Sequence, residues 1–243
     1  MLPREKSVLG ILTFSYLLAL ATSIPPSLVG LALFSIAYVT HLLTFDAIFY
    51  GRGWLRIGAL LALNVAPYVL YLSIDGGDFA VYGVGALLMS AYLWLMKTGR
   101  GRSVPGVVVG TALLSYVFIL GKAMLVHNVA TRDVALAAFF VGYHVATAYY
   151  VESRLAFRSV SPIWPFITWV ATLAVTLPLW ELLVIPAVEP TVKFTRNLVR
   201  NTKVSRHGDI VKMGWRELGR SAVLTLLLGL VYYLGALKTE PVS

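Results

Sequence analysis

The sequence predicts an all-α fold, a polytopic integral membrane protein with about eight transmembrane helices. Three observations lead there. Hydrophobic residues make up 58% of the 243 residues, against roughly 45–50% in ordinary soluble domains. Charged residues account for 13%, about half the usual share. The apolar residues fall in runs near the ~20 residues needed to cross a hydrocarbon core of roughly 30 Å. A soluble fold of this length cannot bury that much apolar surface in one core. Soluble enzymes, nucleic-acid binders and disordered tails are therefore excluded, and the net charge of +9 is read first as a topology signal.

The runs read as spans at 7–23, 27–50, 54–73, 79–96, 104–126, 133–151, 162–188 and 219–237. The first follows Met1-Leu-Pro-Arg-Glu-Lys6 and lacks a small-residue cleavage site, so it reads as a retained span and not a signal peptide. The breaks are Ile24-Pro25-Pro26, Gly51-Arg52-Gly53, Asp75-Gly-Gly-Asp78, Lys97-Thr-Gly-Arg-Gly-Arg102 and Thr131-Arg132-Asp133. Gly and Pro end helices, and charge holds each break at the headgroups. No break is long enough to hold a soluble domain, so residues 1–243 form one transmembrane domain. The absence of Cys excludes disulfides and thiolate sites. The absence of Gln, with only Asn64, Asn128, Asn197 and Asn201 for Asn, fits a thermophile.

Lys and Arg set the orientation. Arg4 and Lys6, Arg52 and Arg56, Lys97, Arg100 and Arg102, and Arg154 and Arg158 all fall at the N-terminus or in even-numbered loops. The N-terminus is therefore expected to be cytoplasmic, in the cell membrane. The segment from Lys193 to Arg220 carries eight Lys/Arg, yet one crossing at 162–188 would put it outside. Pro162, Pro165, Pro178 and Pro186 interrupt that run. A broken or re-entrant hairpin bending near Leu177-Pro178, giving nine helices, removes the conflict; one tilted span is the alternative.

The basic segment at 189–218 includes the best amphipathic stretch. On a helix Lys193, Arg196, Arg200 and Lys203 share one stripe, opposite Val192, Phe194, Leu198 and Val199. This stripe predicts a membrane-surface helix against anionic lipid headgroups, or else an ordinary positive-inside loop. One short basic helix without interleaved aromatics gives no reason to expect nucleic acid.

Polar residues inside the spans are the remaining candidates. His41 and His144 sit at similar depth in the second and sixth spans. Two such histidines can ligate a haem, but hydrogen-bonded structural roles suit them better, and no cofactor is expected. Asp46 and Glu152, at the ends of those spans, can pair with nearby arginines. Glu181, in the proline-rich run, suits a polar pathway, while Lys122 can snorkel to the interface. Asp75-Gly-Gly-Asp78 reads as a turn, without enough ligands for a metal. No Walker, zincin, nucleophile-elbow or dinucleotide motif occurs, so no catalytic residue is assigned.

The second and sixth spans end alike, in Phe49-Tyr50-Gly-Arg52-Gly-Trp-Leu-Arg56 and Tyr149-Tyr150-Val-Glu-Ser-Arg154-Leu-Ala-Phe-Arg158. Both place Arg-x-x-x-Arg after an aromatic pair on the same predicted side. If each turn stays helical, Arg52 with Arg56 and Arg154 with Arg158 share a face, and guanidinium forks suit phosphate oxygens. Such pairs can clamp an anionic headgroup; the plainer reading is two sets of positive-inside anchors.

This layout resembles that of the UbiA superfamily of intramembrane prenyltransferases, which have nine helices, an internal N-terminus and functional loops after the second and sixth spans. More closely it resembles the YwiC-like membrane proteins, through Asp209-Ile-Val-Lys-Met-Gly-Trp-Arg-Glu-Leu-Gly-Arg220 and the start Pro3-Arg-Glu-Lys-Ser-Val-Leu-Gly10. That start departs from the family's His-Gly-Ala-Trp pattern. The prenyltransferases hold Mg²⁺ with paired Asp-rich motifs, as a hard cation requires. Only Asp46 and Glu152 stand at those places here, so no metal site carries over. The resemblance implies a membrane protein acting on a lipid or lipid-linked anion. A small transporter or a subunit with a membrane-protein partner, using Glu181, is the second expectation; a UbiA-type prenyltransferase is the third.

Overall fold

A computed structural model describes residues 6–49, 53–126 and 128–239. Among them the chain forms nine α-helices: α1 Lys6–Ala21, α2 Leu28–Phe49, α3 Trp54–Asp75, α4 Phe79–Lys97, α5 Val104–Leu125, α6 Thr131–Arg154, α7 Ile163–Thr176, α8 Val184–Val199 and α9 His207–Thr239. A short 3-10 turn, Glu181–Leu183, precedes α8. Six of these helices (α2, α3, α4, α5, α6 and α9) are long and apolar enough to cross a membrane, and α1 and α7 are apolar but shorter. The chain is thus a multi-pass, all-helical membrane protein. Large apolar side chains cover its outside, including Leu28 at 81%, Leu87 at 71% and Leu226 at 74% exposure, a surface that suits lipid and not water.

The run 162–188 is not one span. α7 stops at Thr176 because Pro178 has no N–H to continue the ladder. The Leu179 and Trp180 amides instead close back on the Thr176 carbonyl, at 3.2 and 3.0 Å. α7 runs antiparallel to α6: Trp164 stacks on Tyr149, and Trp169 meets Phe139 edge-on. Gly142 lets the two helices touch, since a Cβ there would lie 2.2 Å from Thr172 Oγ1. α8 then returns alongside α6, with Phe194 against Tyr150 and Asn197 Nδ2 donating to Ser153 Oγ at 3.3 Å. Beyond it, the Val204 amide donates to the Arg154 carbonyl at 2.7 Å, and the Ala156 amide to the Val204 carbonyl at 3.0 Å. The second half of this hairpin extends to Val199, well past residue 188. The last helix begins at His207, not at 219, and carries its polar first turns into the bundle's basic end.

The hairpin removes the topological conflict. It brings Arg196, Arg200, Lys203 and Arg206 to the end where α6 finishes, beside Arg154 and Arg158. Arg158 Nη2 donates to the Arg102 carbonyl at 2.8 Å, which ties that end to the start of α5. At the opposite end stand Asp75, Asp78, Asp133 and Glu181. Trp180 at the bend packs on Tyr232, and Tyr232 donates to Asp133 at the start of α6. A topology reporter fused at Asn201 is expected on the same side as one at Ser103 and on the opposite side from one at Glu181. Reporters at Asn201 and Glu181 on the same side would mean that the hairpin stops short.

α5 is the axis of the bundle, packing on α1, α2, α4 and α6. Its second half, from Val117 to Leu125, is buried throughout. Gly30 allows α2 to cross it with backbones touching, because a Cβ would sit 1.7 Å from the Met124 carbonyl oxygen. α1 to α5 form one part of the bundle, with α6 packed on α5 and α9 packed on α1.

Candidate functional site

Helices α1 to α5 surround a cavity of about 690 Å³, well within the ~300–1,000 Å³ of small-molecule sites. Leucine, valine, isoleucine and phenylalanine make up about half of its lining residues, drawn from α1 to α5. At the basic end, which we call its mouth, the lining includes Gly101, Arg102 and Arg158. Gly106 and Gly110 let neighbouring groups pack close on α5, since a Cβ would lie 2.4 Å from the Arg100 carbonyl oxygen at the first and 2.9 Å from the Tyr92 ring at the second. Deeper in, the polar wall groups are His41 and Thr44 on α2, Asn64 and Tyr68 on α3, and Tyr82 on α4.

Arg158 lies in the turn after α6, where the Ala156 and Val204 pairing fixes the chain. Its Nε stands 2.9 Å from Glu152 Oε2, an ionic contact without a linear hydrogen bond. Lys203 Nζ donates to the Ser153 and Arg158 carbonyls, at 2.7 and 3.3 Å. The Arg102 guanidinium lies over the Phe49 ring, 5.8 Å from its centre. A mostly apolar chamber with guanidinium groups at its rim can take a hydrocarbon tail and hold an anion where the tail ends.

The structure gathers some of the sequence candidates and disperses others. Arg158 reaches the cavity, and Glu152 reaches Arg158. Arg154 does not line the cavity; it donates to its own helix's Tyr150 hydroxyl at 2.9 Å. α6 ends at Arg154, so the i, i+4 face expected for Arg154 and Arg158 never forms. Arg56 is exposed and Asp46 half-buried, both away from the cavity wall. Arg52 lies outside the described residues. Among the described arginines, Arg102 and Arg158 line the cavity.

His41 lines the cavity, but His144 does not. His144 is buried on α6 against Phe140 and Tyr143. α5 packs against both α2 and α6. Glu181 is exposed at the tip of the hairpin. In the basic stripe Arg196, Arg200 and Lys203 are exposed, yet Lys193 is buried. It points inward because Glu217 of α9 waits there, 3.0 Å from its amine. Val192 and Val199 take the outer face instead. Among the described residues no three His, Asp or Glu gather as a metal site.

Sequence reading passed over Arg102, Asn64, Tyr68 and Tyr82. A signal was present: His41 and Thr44 are three apart, and Asn64 and Tyr68 four apart, so each pair marks one polar face on an otherwise apolar span. These features define a class: a multi-pass helical membrane protein with a largely apolar cavity lined by arginine at its basic end. Compared with protein-family models, with curated proteins and with solved structures, the chain matches none.

Proposed function

We propose that the protein binds an amphipathic lipid bearing a phosphate, with the hydrocarbon tail in the cavity and the phosphate at Arg102 and Arg158. The observation that carries this reading is the mouth itself, two guanidinium groups at the rim of a largely apolar chamber. Arginine suits phosphate because its planar fork offers paired donors. The positive-inside rule then assigns the mouth and the N-terminus to the cytoplasmic face. A polar pathway through Glu181 has no such support, because that residue sits exposed at the bend.

Dodecyl phosphate binding to the full chain in neutral detergent, followed by isothermal titration, tests the reading. Arg102→Gln and Arg158→Gln are each expected to weaken binding about tenfold, the loss of one charge-assisted hydrogen bond. Glu152→Gln removes the carboxylate that competes for Arg158 and is expected to tighten binding several-fold. The reading fails if all three variants bind as wild type does, since these guanidinium groups would then be anchors only.

A further inference from the structure

Polar groups gather at the deep end of the same cavity. Tyr68 is 8% exposed, lines the cavity, and its hydroxyl has no hydrogen-bond partner among the described residues. The same holds for the buried hydroxyl of Tyr82, in the first turn of α4 and so far from the arginine mouth. The Tyr68 ring centre is 6.4 Å from that of Tyr82 and 5.9 Å from that of His41. His41 Nδ1 lies 2.5 Å from the Ala37 carbonyl. A carbonyl only accepts, so Nδ1 carries the proton and Nε2 of the neutral ring is left as an acceptor.

The neighbouring polar groups are satisfied. Asn64 Nδ2 donates to Thr44 Oγ1 and to the Leu60 carbonyl, at 2.7 and 2.6 Å, and Thr44 donates to the Thr40 carbonyl at 2.7 Å. A bare hydrocarbon filling this end would leave two phenol hydroxyls dry, which is costly in an apolar wall. The group that complements two O–H donors and one ring-nitrogen acceptor is one that both accepts and donates. Carbonyl and ether oxygens meet only half of that requirement; a hydroxyl meets all of it.

We propose that the deep end of the cavity is a binding subsite for the hydroxyl group of an apolar alcohol or phenol. The ligand hydroxyl accepts from Tyr68 or Tyr82 and donates to His41 Nε2. Its apolar body lies in the chamber between that subsite and the mouth. This goes beyond the anion site, because it uses the chamber but neither arginine.

A matched pair of probes isolates the hydroxyl. 4-Hexylphenol and its methyl ether, 4-hexylanisole, have nearly the same apolar body, but only the phenol donates. Titrated into the full chain in neutral detergent, the phenol is expected to bind about tenfold more tightly. His41→Leu is expected to cut that ratio to about twofold or less, while Tyr68→Phe, which removes a donor that both oxygens can use, weakens the two probes together. The ether's own affinity stays unchanged in His41→Leu, which shows that the chamber is intact. Equal affinity of wild type for the two probes overturns the proposal, as does a ratio that survives His41→Leu. Arg102→Gln and Arg158→Gln, which weaken dodecyl phosphate, leave the phenol-to-ether ratio unchanged, so failure of one site is read separately from failure of the other.

Discussion

Glu217→Leu is expected to destabilise the protein by about 3–5 kcal/mol, the usual cost of stranding one partner of a buried ion pair. Lys193 is 6% and Glu217 7% exposed, and their charged atoms meet at 3.0 Å. Lys193 also donates to Thr147 Oγ1 at 3.0 Å and sits against the rings of Tyr143, Tyr150 and Phe194. Without Glu217 it keeps only a hydroxyl and aromatic faces, too little for a buried ammonium. The reciprocal change is milder. In Lys193→Met, Glu217 still receives Arg220 Nη1 at 2.6 Å, and Arg220 in turn reaches Glu189 at 3.1 Å. Lys193→Met is therefore expected to cost less than Glu217→Leu. The double variant, which leaves neither charge stranded, should recover much of the loss. Unfolding in mixed detergent micelles measures all three. Additive losses would show that the pair carries no coupling and that α8 is held by its aromatics alone.

That pair explains where sequence reading succeeded and where it stopped. The hairpin was legible because positive charge at Lys193–Arg220 had to reach the side of the other basic loops, and prolines offered a place to bend. Both signals are local or additive along the chain. The burial of Lys193 was not legible. A helical projection assigns charge to the wet face, and only the tertiary arrangement places Glu217, far along the sequence, on the facing side of α9. Lys122 follows the same rule. A lysine near the end of a span reads as able to snorkel, yet it is 1% exposed. The cavity lies between these cases. Its polar faces, His41 with Thr44 and Asn64 with Tyr68, were visible as helical spacings. That they face one another depends on how α2 packs on α3, which no spacing within one helix specifies. Arg158 was identified but grouped with Arg154, because the helix was assumed to continue past the residue where it ends.

Asp133→Leu is the second variant expected to cost about 3–5 kcal/mol, at the end of the bundle opposite the cavity mouth. Lys122 donates to the Thr22 carbonyl and to the Tyr232 hydroxyl, the latter at 3.1 Å, and lies 3.4 Å from Asp133 Oδ1. Asp133 accepts from Tyr232 at 2.8 Å and from the Ala130 amide at 2.9 Å. One clasp thus joins the ends of α1, α5, α6 and α9. The two charges are unequally supported. Asp133 has two other donors and the positive end of α6's own dipole, so it tolerates Lys122→Met better than Lys122 tolerates Asp133→Leu. Loss of Asp133 leaves the ammonium with neutral oxygens and places Arg132, which lies over the Tyr232 ring at 4.7 Å, next to an unbalanced positive charge. The damage should also be local. Amide hydrogen exchange is expected to rise around residues 18–26 and 122–133 in Asp133→Leu, and around 143–153 and 193–199 in Glu217→Leu. If both variants loosen the same amides, the two clasps belong to one cooperative unit and neither end of the bundle opens on its own.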